Sequence, residues 1–344
     1  MTYALGAAWL PAPLGEGWGA GTPVLVSIAA LWLALAIDQW LGEPPARWHP
    51  VVWIGRYLDW AGRRIAPPAG ADATRDFSRF AAGSAAWCAG AFLVLVVAWC
   101  LTAAVGRHLP VWAGALLTGL ALKPLLSWRM LRDEVAAVEG ELSQSLDAGR
   151  MQLARLVSRE VSALSASEVR ESAIESLSEN LNDSLVAPVF WFVLFGLPGA
   201  AVYRFANTAD AMWGYRGERE GRRWEWAGKW AARADDVLSW LPARLTALLL
   251  LCCPVFCGVR PGIREVRSEA QKTPSPNSGW PMAAMGLLLG VRLAKPGVYV
   301  LNPGGRHPVA SDTLRAVALG SRVVALSALC ATLVMGFMAT SGPR

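Results

Sequence analysis

Residues 80–106, FAAGSAAWCAGAFLVLVVAWCLTAAVG, contain no Asp, Glu, Lys or Arg over 27 positions. A helix of that length extends about 40 Å, and the hydrocarbon core of a bilayer is about 30 Å thick. The stretch therefore predicts a transmembrane helix. Five further stretches are similarly apolar, two of them with a single charge, Lys123 or Arg244: 17–37, 108–128, 184–203, 237–259 and 323–343.

The composition indicates the same class of protein. Of the 344 residues, 54% are hydrophobic and 17% are charged, whereas about a quarter are charged in ordinary soluble domains. This excludes a disordered chain, a collagen and a coiled coil. The net charge of +6 comes without a basic run interleaved with aromatic residues, so no nucleic-acid partner is expected. We expect residues 1–344 to form a single membrane domain.

The positions of the basic residues predict the orientation. Lys and Arg mark the cytoplasmic side of a membrane. They number six in each of 42–79, 129–183 and 206–236, and nine in 260–322. Strict alternation of crossings would place 206–236 outside. The apolar stretches on either side of that segment are interrupted by Pro and Gly, as in re-entrant or broken helices.

We therefore expect an all-α polytopic membrane protein. Four helices would span, and the two segments 184–203 and 237–259 would be broken or re-entrant. Amphipathic helices and loops in the four basic segments would then form a site at the cytoplasmic face of the cell inner membrane.

The most informative polar stretch is EVRESAIESLSENLNDS, residues 168–184. Its apolar spacing predicts a helix. Glu171, Glu175, Glu179 and Asp183 recur every four residues, so they would form one carboxylate stripe. Like charges at this spacing disfavour a helix unless a cation neutralises them, and Arg170 is the only basic residue nearby in the sequence. A solvated helix face is the alternative, but the stripe leads directly into an apolar segment, which favours a magnesium or substrate site.

Three further polar clusters follow along the chain. Each has a structural interpretation besides a functional one: a helix end at the membrane interface, an Arg–carboxylate pair and a plain turn, respectively. The clusters are Arg204, Asn207, Thr208, Asp210, Tyr215 and Arg216; then Arg233, Asp235, Asp236 and Arg244; then SPNSGWP at 275–281. In addition, His49 follows Asp38 at an expected cytoplasmic helix end, where it either contacts a ligand or is an interfacial residue.

Several long motifs resemble the CbiB/CobD membrane proteins of cobalamin biosynthesis, the adenosylcobinamide-phosphate synthases. They appear in family order between about residues 34 and 304, with Glu43, Ser184 and Ala209 departing from the usual pattern. They are DQWLGEPPARWHPVVWIGR at 38–56, ESLSENLNDSLVAPVFWF at 175–192, YRFANTADAMWGYR at 203–216, ARADDVLSWLPARLTAL at 232–248 and SPNSGWPMAAMGLLLGVRLAKPGVYVLN at 275–302.

The resemblance implies an ATP- and Mg²⁺-dependent amide ligase. It would join a propionate carboxylate of the corrinoid adenosylcobyric acid to (R)-1-amino-2-propanol or its O-phosphate. Such chemistry needs an activated carboxylate, most simply an acyl phosphate, and a deprotonated amine that attacks it. Magnesium and arginine would offset the phosphate charge.

On this hypothesis the residues divide into four roles. Glu175, Glu179 and Asp183 bind the metal. Asn180, Arg204, Asn207, Arg216, Arg233 and Arg244 bind the ATP phosphates. Asp210, Asp235 and Asp236 are catalytic, as a base or a second metal ligand. Asp38, His49, Tyr215, Ser275 and Asn277 bind the substrates.

Two other classes of protein stay open. A non-catalytic AmpE-like membrane sensor or regulator resembles the same superfamily, and a corrinoid transporter would share the broken helices and intramembrane charges. The expected partners are the two substrates and the lipid bilayer. Self-association, and association with the enzymes that later assemble the nucleotide loop, are further expectations.

Overall fold

The structure is a computed structural model that describes residues 22–70, 75–254, 258 and 260–341. Parts of three predicted apolar stretches lie outside these described residues, namely 17–21, 255–257 with 259, and 342–343. The described chain is almost entirely helical, with two short antiparallel hairpins. The all-α class is thus confirmed.

The elements follow one another along the chain as an almost unbroken series of helices. The helices are α1 (Thr22–Trp40), α2 (Pro50–Ile65), α3 (Phe77–His108), α4 (Val111–Leu122), α5 (Trp128–Leu142), α6 (Leu146–Leu153), α7 (Ala166–Leu181), α8 (Ala187–Trp213), α9 (Lys229–Leu238), α10 (Trp240–Leu251), α11 (Ile263–Ala270), α12 (Gly279–Leu289) and α13 (Ala310–Ser341). The strands are β1 (Glu218–Arg219), β2 (Arg222–Arg223), β3 (Leu293–Lys295) and β4 (Tyr299–Leu301). Short 3-10 turns lie at Ala46–Trp48 and Lys123–Leu125, and a π-helical turn lies at Asn182–Val186.

Five helical runs within the described residues are long and apolar enough to cross a membrane, by length and composition. Four of them overlap the four predicted spans, and the fifth contains the stretch 184–203. The five runs are Thr22–Trp40, Phe77–His108, Val111–Leu142, Ala166–Trp213 and Ala310–Thr340.

The two stretches predicted to be broken depart from regular helix in different ways. Helix α8 is interrupted at Gly196, whose φ of 64° and ψ of −157° are not helical, and Pro198 lies two residues further on. In the described part of the stretch 237–259, the end of α9 is followed by α10, whose 12 residues extend about 18 Å, too short for a bilayer core.

The contacts divide the chain into two compact units. Of the described residues, 22–70, 75–126, 188–238 and 330–341 form unit 1, and 127–187, 239–254, 258 and 260–329 form unit 2. The expectation of a single membrane domain stays a prediction.

In unit 1, α1 packs along α4 through small residues. Ala30 and Ala34 are fully buried on α1, and a Cβ on Gly119 of α4 would lie 3.0 Å from the carbonyl oxygen of Ala30. Helices in membranes associate through such small residues because these allow close backbone approach.

A second core of unit 1 forms where α2, α3 and α8 meet around Trp213. The Trp213 indole is 1% exposed, donates its Nε1–H to the carbonyl of Leu58 at 3.1 Å and stacks on Trp224 with ring centroids 6.2 Å apart. Burial of a tryptophan is favourable when its N–H finds an acceptor, as it does here. This packing holds the polar end of α8 in place.

In unit 2, α7 is surrounded by α5, α6, α12 and the β3–β4 hairpin. The helix begins with a capping box, since the Ser165 side chain accepts the Glu168 backbone N–H and the Glu168 carboxylate accepts the Ser165 N–H. Most of its residues are buried, including the full apolar set Val169, Ile174, Leu177 and Leu181. A helix covered on this many sides must bury polar side chains as well.

Replacing Gly83 tests the packing of unit 1. A Cβ at Gly83 of α3 would overlap the carbonyl oxygen of Ala227, a backbone atom that cannot rotate away. We expect Gly83→Ala to lower the free energy of unfolding by about 1–3 kcal/mol through overpacking. Gly336→Ala is the matched control, because that helical glycine has open space around it, and it should leave stability equal or slightly higher. Thermal unfolding in detergent measures both, and equal melting temperatures for the two variants would contradict the packing described.

Candidate functional site

The carboxylate stripe predicted on 168–184 lies on α7, and its first member is deeply buried. Glu171 has no exposed surface, and its Oε1 lies 3.1 Å from Nδ1 of His307 and 3.6 Å from Nη1 of Arg292. His307 and Arg292 lie on either side of the β3–β4 hairpin. The partners of this carboxylate therefore lie more than 100 positions away in the sequence.

The second carboxylate of the stripe, Glu175, is paired with Arg159. Arg159 Nη2 lies 3.0 Å from Glu175 Oε2, with 19% and 5% of the two side chains exposed. Arg170, the nearest basic residue in sequence, instead makes a bidentate pair with Glu139 at 2.8 and 2.7 Å. Sequence proximity therefore pointed to the wrong counter-ion for the stripe.

Glu175, Glu179 and Asn180 line one cavity of about 170 Å³. Arg159 lines it from the segment after α6, and Lys295 and Tyr299 line it from the hairpin. The cavity thus brings together two carboxylates, an amide and two cations.

The β3–β4 hairpin explains why Lys295 and Tyr299 reach the same cavity. They are directly opposed in the antiparallel register, and opposed residues present their side chains on the same face. The intervening turn contains Gly297 with φ 71°, a conformation that glycine adopts without steric cost.

The Tyr299 hydroxyl lies beside Glu175 and stays protonated. Burial raises the pKa of Tyr299, and the nearby Glu175 carboxylate raises it further. The phenol is therefore a hydrogen-bond donor at the wall of the cavity and not an anion.

Several buried polar atoms around the cavity form no hydrogen bond within the part of the chain that the structure describes. They are Oε1 of Glu175 and both Nε and Nη1 of Arg159. Buried polar groups are normally satisfied, so unsatisfied ones facing a cavity indicate a polar ligand.

This set of groups suits magnesium bound with phosphate. Among the described residues, no three His, Cys, Asp or Glu side chains are arranged to hold a metal ion by themselves. Mg²⁺ in proteins is usually held by one or two carboxylates together with substrate phosphates and water. Glu175 and Glu179 could supply the carboxylates, and Arg159 and Lys295 could face the phosphates.

Asp183, the last member of the stripe, lies in the π-helical turn and does not line this cavity. Asn182 Nδ2 donates to Asp183 Oδ1 at 2.8 Å, and the Asn182 carbonyl oxygen Oδ1 accepts from Thr246 at 3.1 Å. The wider π turn interrupts the four-residue spacing, and such turns are frequent at functional sites. Ser184 in this turn has no positive φ, so its position does not require glycine.

A second and larger cavity in unit 2, about 680 Å³, brings together Arg244 and Ser275 from the predicted set. Arg244 donates to the Asn277 side chain at 2.9 Å and to the Pro276 carbonyl at 3.1 Å, and its guanidinium lies over the rings of Trp240 and Trp280. The loop of SPNSGWP is thus a turn ahead of a short apolar helix, as predicted. Arg244 holds this loop, and its donors are largely engaged by it.

In unit 1, α8 and α9 bring together part of the remaining predicted set. Asn207 on α8 donates to Asp235 Oδ1 on α9 at 3.4 Å. Burial raises the pKa of Asp236, and the positive charge of Arg216 opposes that rise. Arg204 and Asp210 lie on α8, one turn before and one turn after Asn207, and Arg233 lies on the exposed side of α9.

Tyr215 follows the end of α8. Its hydroxyl donates to the Ala211 carbonyl at 2.9 Å, and the Arg219 guanidinium lies 3.9 Å from its ring centroid. Burial raises the pKa of Tyr215, with the Arg219 charge opposing. The ring is therefore held between the helix end and the β1–β2 hairpin.

Asp38 and His49 join one buried charge cluster of unit 1. Lys123 Nζ lies 3.3 Å from Asp38 Oδ1 and 2.7 Å from Glu43 Oε2, and His49 Nε2 lies 3.1 Å from the same Glu43 oxygen. Lys123, the one charge in its apolar stretch, is 3% exposed. The cluster accounts for the charge in that stretch, since a buried ammonium needs a paired carboxylate.

Sequence reasoning did not single out Arg159, Lys295, Tyr299, Arg292 or His307. No periodicity marks them, because they lie in loops and a hairpin. A sequence signal for three of them was the family motif at 275–302, which contains Arg292, Lys295 and Tyr299.

Comparison with known proteins agrees with the resemblance in the motifs. The CobD/Cbib protein family matches residues 31–326. A probable cobalamin biosynthesis protein CobD of Methanothermobacter thermautotrophicus is 36% identical over 90% of this chain and 98% of its own length. The protein of that name from Thermococcus kodakarensis is 40% identical over 83% of this chain and 88% of its own length.

A bacterial relative extends the comparison. The cobalamin biosynthesis protein CobD of Brucella suis is 34% identical over 80% of this chain and 84% of its own length. No solved structure matches the chain. With the family matched over most of its length, this apolar, polytopic chain belongs to the CobD/CbiB family of cobalamin biosynthesis proteins.

Proposed function

We propose that this chain is an adenosylcobinamide-phosphate synthase, an ATP- and Mg²⁺-dependent ligase. It forms an amide between a propionate carboxylate of adenosylcobyric acid and (R)-1-amino-2-propanol or its O-phosphate. The product is adenosylcobinamide or its phosphate. This proposal extends the family's role in cobalamin synthesis to a specific reaction.

The observation that carries the proposal is the cavity beside α7. It combines Glu175 and Glu179 with Arg159 and Lys295, and buried atoms of Glu175 and Arg159 form no hydrogen bond among the described residues. Carboxylates beside cations are the groups that a magnesium–phosphate complex requires.

In the proposed mechanism each group has a defined task. Glu175 and Glu179 would hold Mg²⁺, and Asn180, Arg159 and Lys295 would contact the phosphates. Asp183, the third predicted metal ligand, lies in the π turn outside this cavity. ATP supplies the phosphoryl group that activates the propionate carboxylate. The Tyr299 phenol keeps its proton and orients the Glu175 carboxylate. The cations offset the charge that develops on the transferred phosphoryl group.

The roles proposed for polar groups of α8 and α9 in unit 1 rest on the family resemblance, and not on the cavity beside α7 in unit 2. Asp236 is the best candidate for the base that deprotonates the amine, because burial raises its pKa and a more basic carboxylate is a better proton acceptor. Asp210 and Asp235 are its alternatives. Arg204, Asn207, Arg216 and Arg233 are further phosphate ligands in this proposal.

Substrate contacts are proposed for Asp38, His49, Tyr215, Ser275 and Asn277. For Arg244 the proposal changes from a phosphate ligand to a positioning residue, since it holds the loop that carries Ser275 and Asn277. The basic segments 42–79, 129–183, 206–236 and 260–322 support a location in the cytoplasmic membrane with the site on the cytoplasmic side.

Replacing Glu179 tests the proposed ligase directly. Glu179 is exposed at the cavity, so Glu179→Gln should fold normally yet lower the rate of ATP-dependent amide formation by about two orders of magnitude. Glu265→Gln, an exposed carboxylate on α11, is the matched control and should keep full activity. The assay uses detergent-purified protein, adenosylcobyric acid, MgATP and either amine, with mass spectrometry of the corrinoid.

Two results of that assay would contradict the proposal. Full activity of Glu179→Gln would show that the cavity beside α7 takes no part in the reaction. Folded wild-type protein that binds the corrinoid but gives no product with either amine would favour a sensor or a transporter.

Replacing Arg159 tests the buried ion pair. Arg159→Gln leaves the Glu175 carboxylate without its counter-ion, which should lower the free energy of unfolding by about 3–5 kcal/mol. Arg155→Gln, four residues earlier, breaks a pair whose arginine is 63% exposed and should cost about 1 kcal/mol or less. Denaturation in detergent compares the two, and equal losses would show that Glu175 is not held by Arg159.

A further inference from the structure

Unit 1 contains an apolar cavity of about 430 Å³ that the proposed reaction does not use. Its walls come from α2, α3, the end of α4 and the part of α8 that follows the Gly196 interruption. The lining residues include Trp48, Trp53, Tyr57, Leu93, Val97 and Leu101.

The cavity follows one stripe of α3 over the depth of one membrane leaflet. The α3 residues in its wall, from Gly90 to Leu101, are spaced at three and four positions, as on one face of a helix. Gly90 and Leu101 are separated by about 16 Å along the helix axis. One leaflet of a hydrocarbon core of about 30 Å has nearly the same depth.

Part of the cavity wall consists of exposed apolar side chains. Leu93, Val97 and Leu101 on α3 and Leu120 on α4 line it, and 39–60% of each of these side chains is exposed. Both helices belong to runs of membrane-spanning length. An opening between such helices meets hydrocarbon chains and not water.

The wall offers few hydrogen bonds to a polar ligand. Trp53 donates its indole N–H to the Arg47 carbonyl at 3.0 Å, and the Tyr57 hydroxyl donates to the Ala86 carbonyl at 2.7 Å. A polar molecule would lose its hydration there without replacement, whereas an apolar chain would gain from burial.

Basic side chains flank the cavity where it meets the 3-10 turn before α2. Arg47 is exposed, its guanidinium lies 5.9 Å from the Trp48 ring, and within the described residues it forms no ion pair. Arg56, on the exposed side of α2, lies one turn from Trp53. Positive charge and tryptophan next to an apolar cleft favour a lipid whose headgroup is anionic.

We propose that this cavity binds one acyl chain of an anionic phospholipid, with its headgroup phosphate at Arg47. The lipid is a bound component of unit 1, distinct from the substrates of the proposed ligase. It fills the space between α2, α3, α4 and α8.

The test is native mass spectrometry of the full chain reconstituted with equal amounts of palmitoyl-oleoyl phosphatidylglycerol and phosphatidylcholine. The wild type should retain one phosphatidylglycerol. Val97→Trp should lose it, because the indole fills the cavity, and so should Ala121→Phe on the opposite wall. Val96→Trp is the matched control: its side chain lies on α3 outside the cavity, and the lipid should be retained. Arg47→Gln should reduce the preference for phosphatidylglycerol about fivefold.

Three results would overturn the proposal: a wild type that retains no lipid, equal retention by Val97→Trp, Ala121→Phe and Val96→Trp, or retention without preference between the two headgroups. Ligation activity measured on the same samples separates this inference from the ligase, because lipid loss in a variant that still forms product leaves the proposed reaction intact.

Discussion

The structure around α7 depends on one constraint, that a buried carboxylate must be neutralised. Glu171 and Glu175 are almost wholly removed from solvent, their counter-charges come from Arg292 and Arg159, and His307 contacts Glu171. Leaving such a carboxylate unpaired costs several kcal/mol. The pairing therefore holds the loop after α6 and the β3–β4 hairpin against this helix, and the hairpin in turn carries Lys295 and Tyr299 to the cavity. Buried atoms of Glu175 and Arg159 at that cavity form no hydrogen bond among the described residues, and we propose that they bind a ligand.

Unit 1 obeys the same constraint at a different place. Lys123 ends an apolar helix and is buried, so Asp38 and Glu43 gather around it and His49 joins through Glu43. Asp38 and His49, which are both predicted to bind substrate, therefore belong to a charge cluster at the helix ends. Burying charged side chains in an apolar segment costs free energy, and such residues are often functional. Asp38 and His49 could therefore position the substrate-binding residues or contact the substrate themselves.

The sequence predicts the helical membrane class well, because long charge-free stretches are typical of membrane-spanning helices and rare in soluble domains. It also predicts the helix at 168–184 and the turn before α12. Arg170, the one basic residue near the carboxylate stripe in sequence, pairs with Glu139 and not with the stripe. Counter-ions in distant loops leave no periodic pattern in the sequence. Arg159 and Lys295 are therefore recognised only in the structure. The π turn at Asn182–Val186 also breaks the regular spacing that placed Asp183 with Glu179.

Thermal unfolding with added ATP is the simplest way to determine whether the cavity beside α7 binds ATP together with magnesium. A ligand that binds only the folded state raises the melting temperature of the protein. We expect a rise with ATP and Mg²⁺ together, no rise when EDTA replaces Mg²⁺, and a much smaller rise for Lys295→Gln than for the exposed control Lys272→Gln. An equal rise in both variants, or no magnesium-dependent rise in the wild type, would show that the cavity does not bind the nucleotide.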